Sequence, residues 1–134
     1  MSKIGRIEKI GFPDLNIESV DAKVDTGAYT TSIHVSGIKL KDNKLFFWVG
    51  TPKNKFIFDK FSIIEVKNSF GKVQKRYSIF TRIKVGEKTY KIHISLANRN
   101  KMKYPVLIGR RFLYRFNYLV DVTKENLNAG TKKV

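Results

Sequence analysis

The feature that most constrains the fold is an alternation of apolar and polar residues with a period of two, which is typical of half-buried β-strands. Two runs show it, and the apolar residues within each run share one parity: Tyr77, Ile79, Ile83 and Val85, then Tyr90, Ile92, Ile94 and Leu96. Gly86-Glu87 stands between the runs and supplies a turn. The pattern predicts a β-hairpin from about residue 73 to residue 96.

Shorter apolar runs on both sides of this hairpin predict further strands. These lie at residues 20–24, 33–35, 45–49 and 56–66. Helix signals are scarce, and residues 110–114, after Gly109, form the one good candidate. Many short strands with turn signals between them favour an all-β protein whose sheet closes into a barrel, with one short C-terminal helix.

Residues 1–122 are expected to form a single domain, because 134 residues of which 42% are hydrophobic can bury one core. Residues 123–134 lack apolar periodicity and are expected to form a flexible polar tail. The sequence has no cysteine, which excludes disulfides and thiolate metal sites. It also has no apolar stretch of signal-peptide or membrane-spanning length, which favours a cytoplasmic protein outside the membrane.

The strand at residues 20–24 ends in Asp25-Thr26-Gly27-Ala28 and so presents one carboxylate on a backbone bend. Such a carboxylate suits a catalytic pair, in which two acids share one proton and activate a water molecule. The same residues also suit an ordinary turn, with Thr26 as a turn residue, Gly27 in a positive-φ conformation and Ala28 as filler.

A second segment, Leu107-Ile108-Gly109-Arg110, favours the catalytic interpretation. With the Asp25 loop, it resembles the two hallmarks of retropepsin-like proteases. The chain is more closely similar to a bacterial retropepsin-like family labelled ATP-dependent zinc protease, whose genes are associated with RimK-type ligases. Four stretches carry this resemblance, which spans roughly residues 4–122: residues 4–8, 22–34, 68–71 with Arg76, and 96–113.

The resemblance implies a closed retropepsin-like barrel in which the strand ending at Ile108 and Gly109 supports the Asp25 loop. It also implies that the Thr26 hydroxyl bonds across a dimer axis, that Gly27 exposes its backbone to substrate, and that Ala28 leaves space for a cleft. The sequence contains a single Asp-Thr-Gly. A catalytic pair therefore requires a homodimer that contributes one Asp25 from each subunit.

A retropepsin-like enzyme also needs a flap, which is a hairpin that closes over the substrate and excludes water. One candidate is centred on residues 50–54. The other contains Ser69, Phe70 and Gly71 and is preferred, because it combines turn chemistry with an apolar tip and a match to the family.

One position departs from the viral retropepsins. Those enzymes have an acidic residue two places after the glycine of Asp-Thr-Gly, and it pairs with the arginine of the Gly-Arg motif. This chain has Tyr29 there. Arg110 must therefore find another partner or meet substrate carboxylates directly.

The charge balance is strongly basic, with 27 Lys and Arg residues against 11 Asp and Glu residues, a net charge of +16. Such a field attracts acidic polypeptides, nucleic acid and anionic membranes. The lysines are spread along the chain, so a generally basic surface is the alternative explanation. Because RimK-type ligases add glutamates, an acidic or glutamate-rich peptide is the substrate hypothesis.

No metal and no other cofactor are expected. Only His34 and His93 are present, and a catalytic zinc normally takes three protein ligands. A site that combines both histidines with Asp25 is conceivable, but surface or hydrogen-bonded histidines explain the residues more simply.

The rival hypothesis is a non-catalytic basic β-barrel that binds acidic partners or nucleic acid. Exposed aromatic residues can stack on bases while lysines follow the phosphates. The candidates for this role are Phe46, Phe47, Trp48, Tyr77, Phe80 and Tyr90. In that interpretation the Asp25 loop is only a turn.

Overall fold

The computed structural model describes residues 2–50, 53–67, 70–98 and 103–128. Within these ranges the elements follow in this order: β1 (Ser2–Phe12), a 3-10 turn (Pro13–Leu15), β2 (Ile17–Val24), β3 (Ser32–His34), β4 (Gly37–Lys41), β5 (Lys44–Trp48), β6 (Lys55–Phe58), β7 (Ser62–Lys67), β8 (Val73–Val85), β9 (Lys88–Ala97), β10 (Val106–Ile108), α1 (Arg110–Arg115) and β11 (Tyr118–Glu125). The prediction of a mostly β fold with one short helix near the C-terminus is confirmed.

The strands form two sheets. The larger has the order β11-β1-β2-β10-β3-β9-β8-β7, and the smaller has the order β4-β5-β6. β1 also pairs with β8, through Ile10 opposite Val85 and Gly11 opposite Lys84. This topology supports the predicted all-β class but not one closed barrel that contains every strand. Among the described residues, β11 and β7 remain edge strands of the large sheet, and β4–β6 are paired separately from it.

The predicted hairpin is present as β8 and β9, joined at Gly86-Glu87. Its apolar parity faces the core, where Ile79, Ile83 and Ile94 are fully buried. Phe80 has the opposite parity and is 46% exposed. β9 of this hairpin also pairs with β3, and β8 also pairs with β7 and β1. The hairpin therefore connects several shorter strands of the large sheet.

An aromatic cluster closes the core beneath α1. The Tyr90 ring lies 5.3 Å from that of Phe112 and 4.3 Å from that of Phe116. The Tyr90 and Tyr118 hydroxyl groups are 2.8 Å apart and hydrogen-bonded. Burial raises the pKa of Tyr118, so its phenol stays neutral over the ordinary pH range. The helix that begins at Arg110 of the Gly109-Arg110 motif is thereby fixed to the sheet.

The first three residues of the predicted polar tail, 123–125, belong to β11, which ends at Glu125. β11 runs parallel to β1, and Asn126 donates its backbone N–H to the Ile7 carbonyl at 2.8 Å. The predicted boundary at residue 122 thus falls inside a strand. Residues 129–134 of the predicted tail lie outside the described residues. In the described part of the chain, no helix is long and apolar enough to span a membrane.

Candidate active site

The two sequence hallmarks lie side by side in the structure. β2 ends at Val24 and runs parallel to β10, with Val24 opposite Ile108. The next residue, Asp25, donates its backbone N–H to the Ile108 carbonyl at 2.9 Å. The apolar strand of the second motif therefore holds the base of the Asp25 loop, which is the arrangement that the family resemblance implied.

The Asp25 carboxylate is half-buried at a tight bend. The Gly27 backbone N–H donates to Asp25 Oδ1 at 3.1 Å, and the Ala28 N–H donates to the Asp25 carbonyl at 3.2 Å. Thr26 and Gly27 are exposed. The carboxylate is thus held in one orientation by its own loop, while the residues next to it remain open to solvent.

Gly27 does not adopt positive φ, so the alternative reason given for this glycine is wrong. Among the described glycines, positive φ occurs at Gly50, Gly71 and Gly86. A Cβ added to Gly27 would lie 3.3 Å from Asp25 Oδ1. Gly27 therefore keeps the space beside the carboxylate free.

The far side of the loop is fixed to the start of α1. The Arg110 N–H donates to the Ala28 carbonyl at 2.8 Å, and the Arg111 N–H donates to the Tyr29 carbonyl at 3.1 Å. These are N–H groups that the first helical turn cannot pair internally. The loop is consequently held by β10 at one end and by α1 at the other.

Gly109 lies where these two supports meet. A Cβ on this residue would lie 2.6 Å from the Tyr29 carbonyl oxygen and 2.6 Å from the Thr30 carbonyl carbon, which are both backbone atoms. The Gly109 N–H donates to the buried Thr31 hydroxyl at 3.1 Å. The glycine of the second motif is required by this close approach of two backbones.

Arg110 finds its partners within the loop. Its side chain donates to the Gly27 carbonyl at 3.1 Å, and its guanidinium group lies 5.5 Å from the centre of the Tyr29 ring. A cation–π contact and a backbone carbonyl thus replace the carboxylate of viral retropepsins. The sequence identified Tyr29 as a departure but could not show that the ring itself is the replacement.

Both candidate flap hairpins exist. β7 and β8 form the preferred one, in which Phe70 is 89% exposed and Gly71 has φ of +81°. Ser69 lies outside the described residues. β5 and β6 form the other, where Val49 donates to the Asn54 carbonyl at 3.0 Å, and part of its turn also lies outside the described residues.

The two histidines do not form a zinc centre with the Asp25 loop. The His34 N–H donates to the Pro105 carbonyl at 2.7 Å, and the His93 ring lies 4.6 Å from that of Phe80. Across residues 2–50, 53–67, 70–98 and 103–128, no three His, Asp or Glu side chains are grouped to hold a metal ion. The described residues do not fit the zinc in the family label.

An apolar strand that supports an Asp-Thr-Gly loop in a mostly β fold defines a retropepsin-like protein. Residues 3–130 match the family described as RimB-like, retropepsin-like aspartic endopeptidase RimB. The chain belongs to the RimB-like family.

Two kinds of similar protein extend this comparison. A crystal structure of a Legionella pneumophila protein of unknown function is 30% identical, with a TM-score of 0.75 over 95% of this chain and 98% of that one. Proteins named "Probable alpha-L-glutamate ligase" are 32% identical in Desulfotalea psychrophila and 31% identical in Shewanella halifaxensis. Each match covers 80% of this chain but 25% and 26% of the ligases, respectively. The chain spans about a quarter of the length of these relatives.

Proposed function

We propose that the protein is an aspartic endopeptidase that works as a homodimer, with one Asp25 from each subunit. The observation that carries this proposal is the Asp25 loop, in which a half-buried carboxylate is fixed by Gly27 and supported by β10 and α1. Membership of a family described as retropepsin-like aspartic endopeptidases supports it. The pairing of β1 with β8 supports the proposal that part of the large sheet closes as the family resemblance implies.

In the proposed dimer the two Asp25 carboxyl groups lie about 3 Å apart and share one proton, because both cannot be ionised at that distance. The ionised group takes a proton from the attacking water, and the neutral group donates a hydrogen bond to the scissile carbonyl. The exposed Thr26 hydroxyl bonds the partner loop across the axis. A hairpin such as β7–β8 closes over the peptide and excludes bulk water.

The proposed substrate is an acidic, glutamate-rich peptide. The net charge of +16 attracts such a chain, and the attraction weakens as salt screens it. The relatives named "Probable alpha-L-glutamate ligase" contain a region similar to this chain, which supports a substrate that contains glutamate.

The test is hydrolysis of a poly-glutamate peptide and of a poly-glutamine peptide of equal length. We expect faster cleavage of the glutamate peptide, and a loss of about 10⁴-fold or more in Asp25→Asn, which keeps the shape of the side chain but cannot ionise. Equal rates on both peptides would remove the acidic-substrate proposal. Cleavage that survives Asp25→Asn would remove the catalytic role of Asp25.

A further inference from the structure

A second group of basic side chains lies between α1 and β9, beside Thr30 and Thr31, which follow the Asp25 loop in the chain. Arg111, Arg115 and His93 line a cleft there, beside Thr30 and above Ile92 and Phe116. We propose that this cleft is a separate binding site for the carboxylate group of an acidic side chain. The role of this site rests on the proposed function: it would hold a glutamate of the substrate away from the bond that is cut. Carboxylate binding itself does not depend on that function.

The arginines of this cleft have no ion-pair partner within the described residues. The ion pairs found there join Arg6 to Glu125, Lys9 to Asp21, and Arg82 to Asp14. Arg111 and Arg115 are four residues apart on one helix, so their like charges lie on the same face and destabilise it. A bound anion relieves that repulsion, and two guanidinium groups supply the donors that a carboxylate accepts.

Both arginines are ordered by aromatic contacts before any ligand arrives. The Arg115 guanidinium lies 5.2 Å from the centre of the Phe116 ring, and that of Arg111 lies 5.9 Å from the centre of the Tyr29 ring. Preorganised side chains lose less conformational freedom when they bind. The Arg111 backbone N–H also bonds the Tyr29 carbonyl, which connects the cleft to the Asp25 loop.

The lining of the cleft favours a carboxylate on a short apolar stem. Arg111 and Arg115 supply donors for the carboxylate group, and apolar side chains line the same cleft. Ile92 is buried and Phe116 is half-buried at its floor, where they can pack against methylene groups. A glutamate side chain combines these two properties.

The experiment measures binding rather than cleavage, and so separates this site from the proposed activity. The protein carries Asp25→Asn and is titrated by calorimetry at low ionic strength with a tetra-glutamate peptide and with a tetra-glutamine peptide. Adding Arg111→Gln and Arg115→Gln should weaken glutamate binding by tenfold or more. The charge-matched control adds Lys39→Gln and Lys41→Gln on β4 and should change it by less than twofold.

Equal weakening by both double variants would overturn the proposal, since the general field of the protein would then explain the binding. Tighter binding of inorganic phosphate than of the peptide, with the same dependence on the arginines, would overturn the carboxylate assignment. Amide chemical shifts of the protein locate the bound peptide without any arginine variant. The peptide should perturb Thr30, Ile92 and Phe116 most strongly, and a perturbation centred elsewhere would contradict the site.

Discussion

Gly109 shows how one residue sets the shape of the candidate site. Its Cα lies against the backbone of Tyr29 and Thr30, so a methyl group there must push the Asp25 loop away from α1. We expect Gly109→Ala to lower the free energy of unfolding by about 1–3 kcal/mol, as overpacking against atoms that cannot move aside does. Urea unfolding measures this difference.

Gly27→Ala is the matched control for that substitution. Its added methyl group would meet only the Asp25 side chain, at 3.3 Å, so the loss of stability should be smaller. Equal losses at the two glycines would show that backbone contact is not what distinguishes Gly109.

Asp14, which lies outside the candidate site, makes stability depend on pH. Hydrogen bonds from Arg82 lower its pKa from 3.8 to about 2. A lowered pKa stabilises the folded state above pH 3.8, and this contribution is lost as the pH falls towards 2. Because the pair is partly exposed, screening limits the contribution to about 1 kcal/mol.

Asp14→Asn tests this linkage. At pH 7 the variant should unfold at a lower urea concentration than the wild type, and the two curves should converge as the pH approaches 2. A gap that stayed constant between pH 7 and pH 2 would show that the charge of Asp14 does not matter.

For single residues, the sequence pointed to those that belong to a short local motif. Asp25, Gly109 and Arg110 were found from two short motifs. The pairing of Arg110 with Tyr29 and the support of Gly109 by Thr31 were not, because each joins residues about eighty positions apart that no sequence pattern connects.

Among the elements, β11 depends on a buried carboxylate. Glu8 is fully buried and accepts N–H groups from Gly5 at 2.7 Å, from Leu127 at 3.0 Å and from Asn128 at 3.0 Å. These bonds hold the end of β11 and the residues after it against β1. We expect Glu8→Gln to cost about 2 kcal/mol, because an amide accepts fewer and weaker hydrogen bonds than a carboxylate.

Hydrogen exchange locates this effect. Amides of residues 118–128 should lose protection in Glu8→Gln before those of the β8–β9 hairpin do. Glu125→Gln is the control, since Glu125 pairs with Arg6 at the surface and should matter little. Uniform loss of protection across both sheets would contradict a local role for Glu8.

The sequence predicted some strands better than others, and the reason is physical. The β8–β9 hairpin buries alternate side chains, so its sequence alternates between apolar and polar residues and predicts the strands. The end of β11 is held mainly by backbone bonds to β1 and by Glu8, and its residues Thr123, Lys124 and Glu125 are exposed. Such a strand has no apolar periodicity, which is why it was expected to fray.

For the whole molecule, periodicity indicated strands but not which strands pair. The run predicted at residues 45–49 became β5 of the small sheet, whereas the run predicted at residues 56–66 is divided between β6 of the small sheet and β7 of the large one. Pairing is decided by long-range contacts and chain connections that a single sequence does not reveal. The all-β class was therefore predictable, whereas the two-sheet arrangement was not.

The central claim is that Asp25 becomes a catalyst only beside Asp25 of the partner subunit. Subunit mixing tests it most directly: wild-type and Asp25→Asn chains are combined in equal amounts under conditions that let dimers exchange, and peptide hydrolysis is compared with that of wild type at the same total concentration. Only about a quarter of the dimers then carry two carboxylates, so activity should fall to about a quarter of the wild-type value. A fall to only one half would mean that each subunit works alone, which would contradict the paired-carboxylate mechanism.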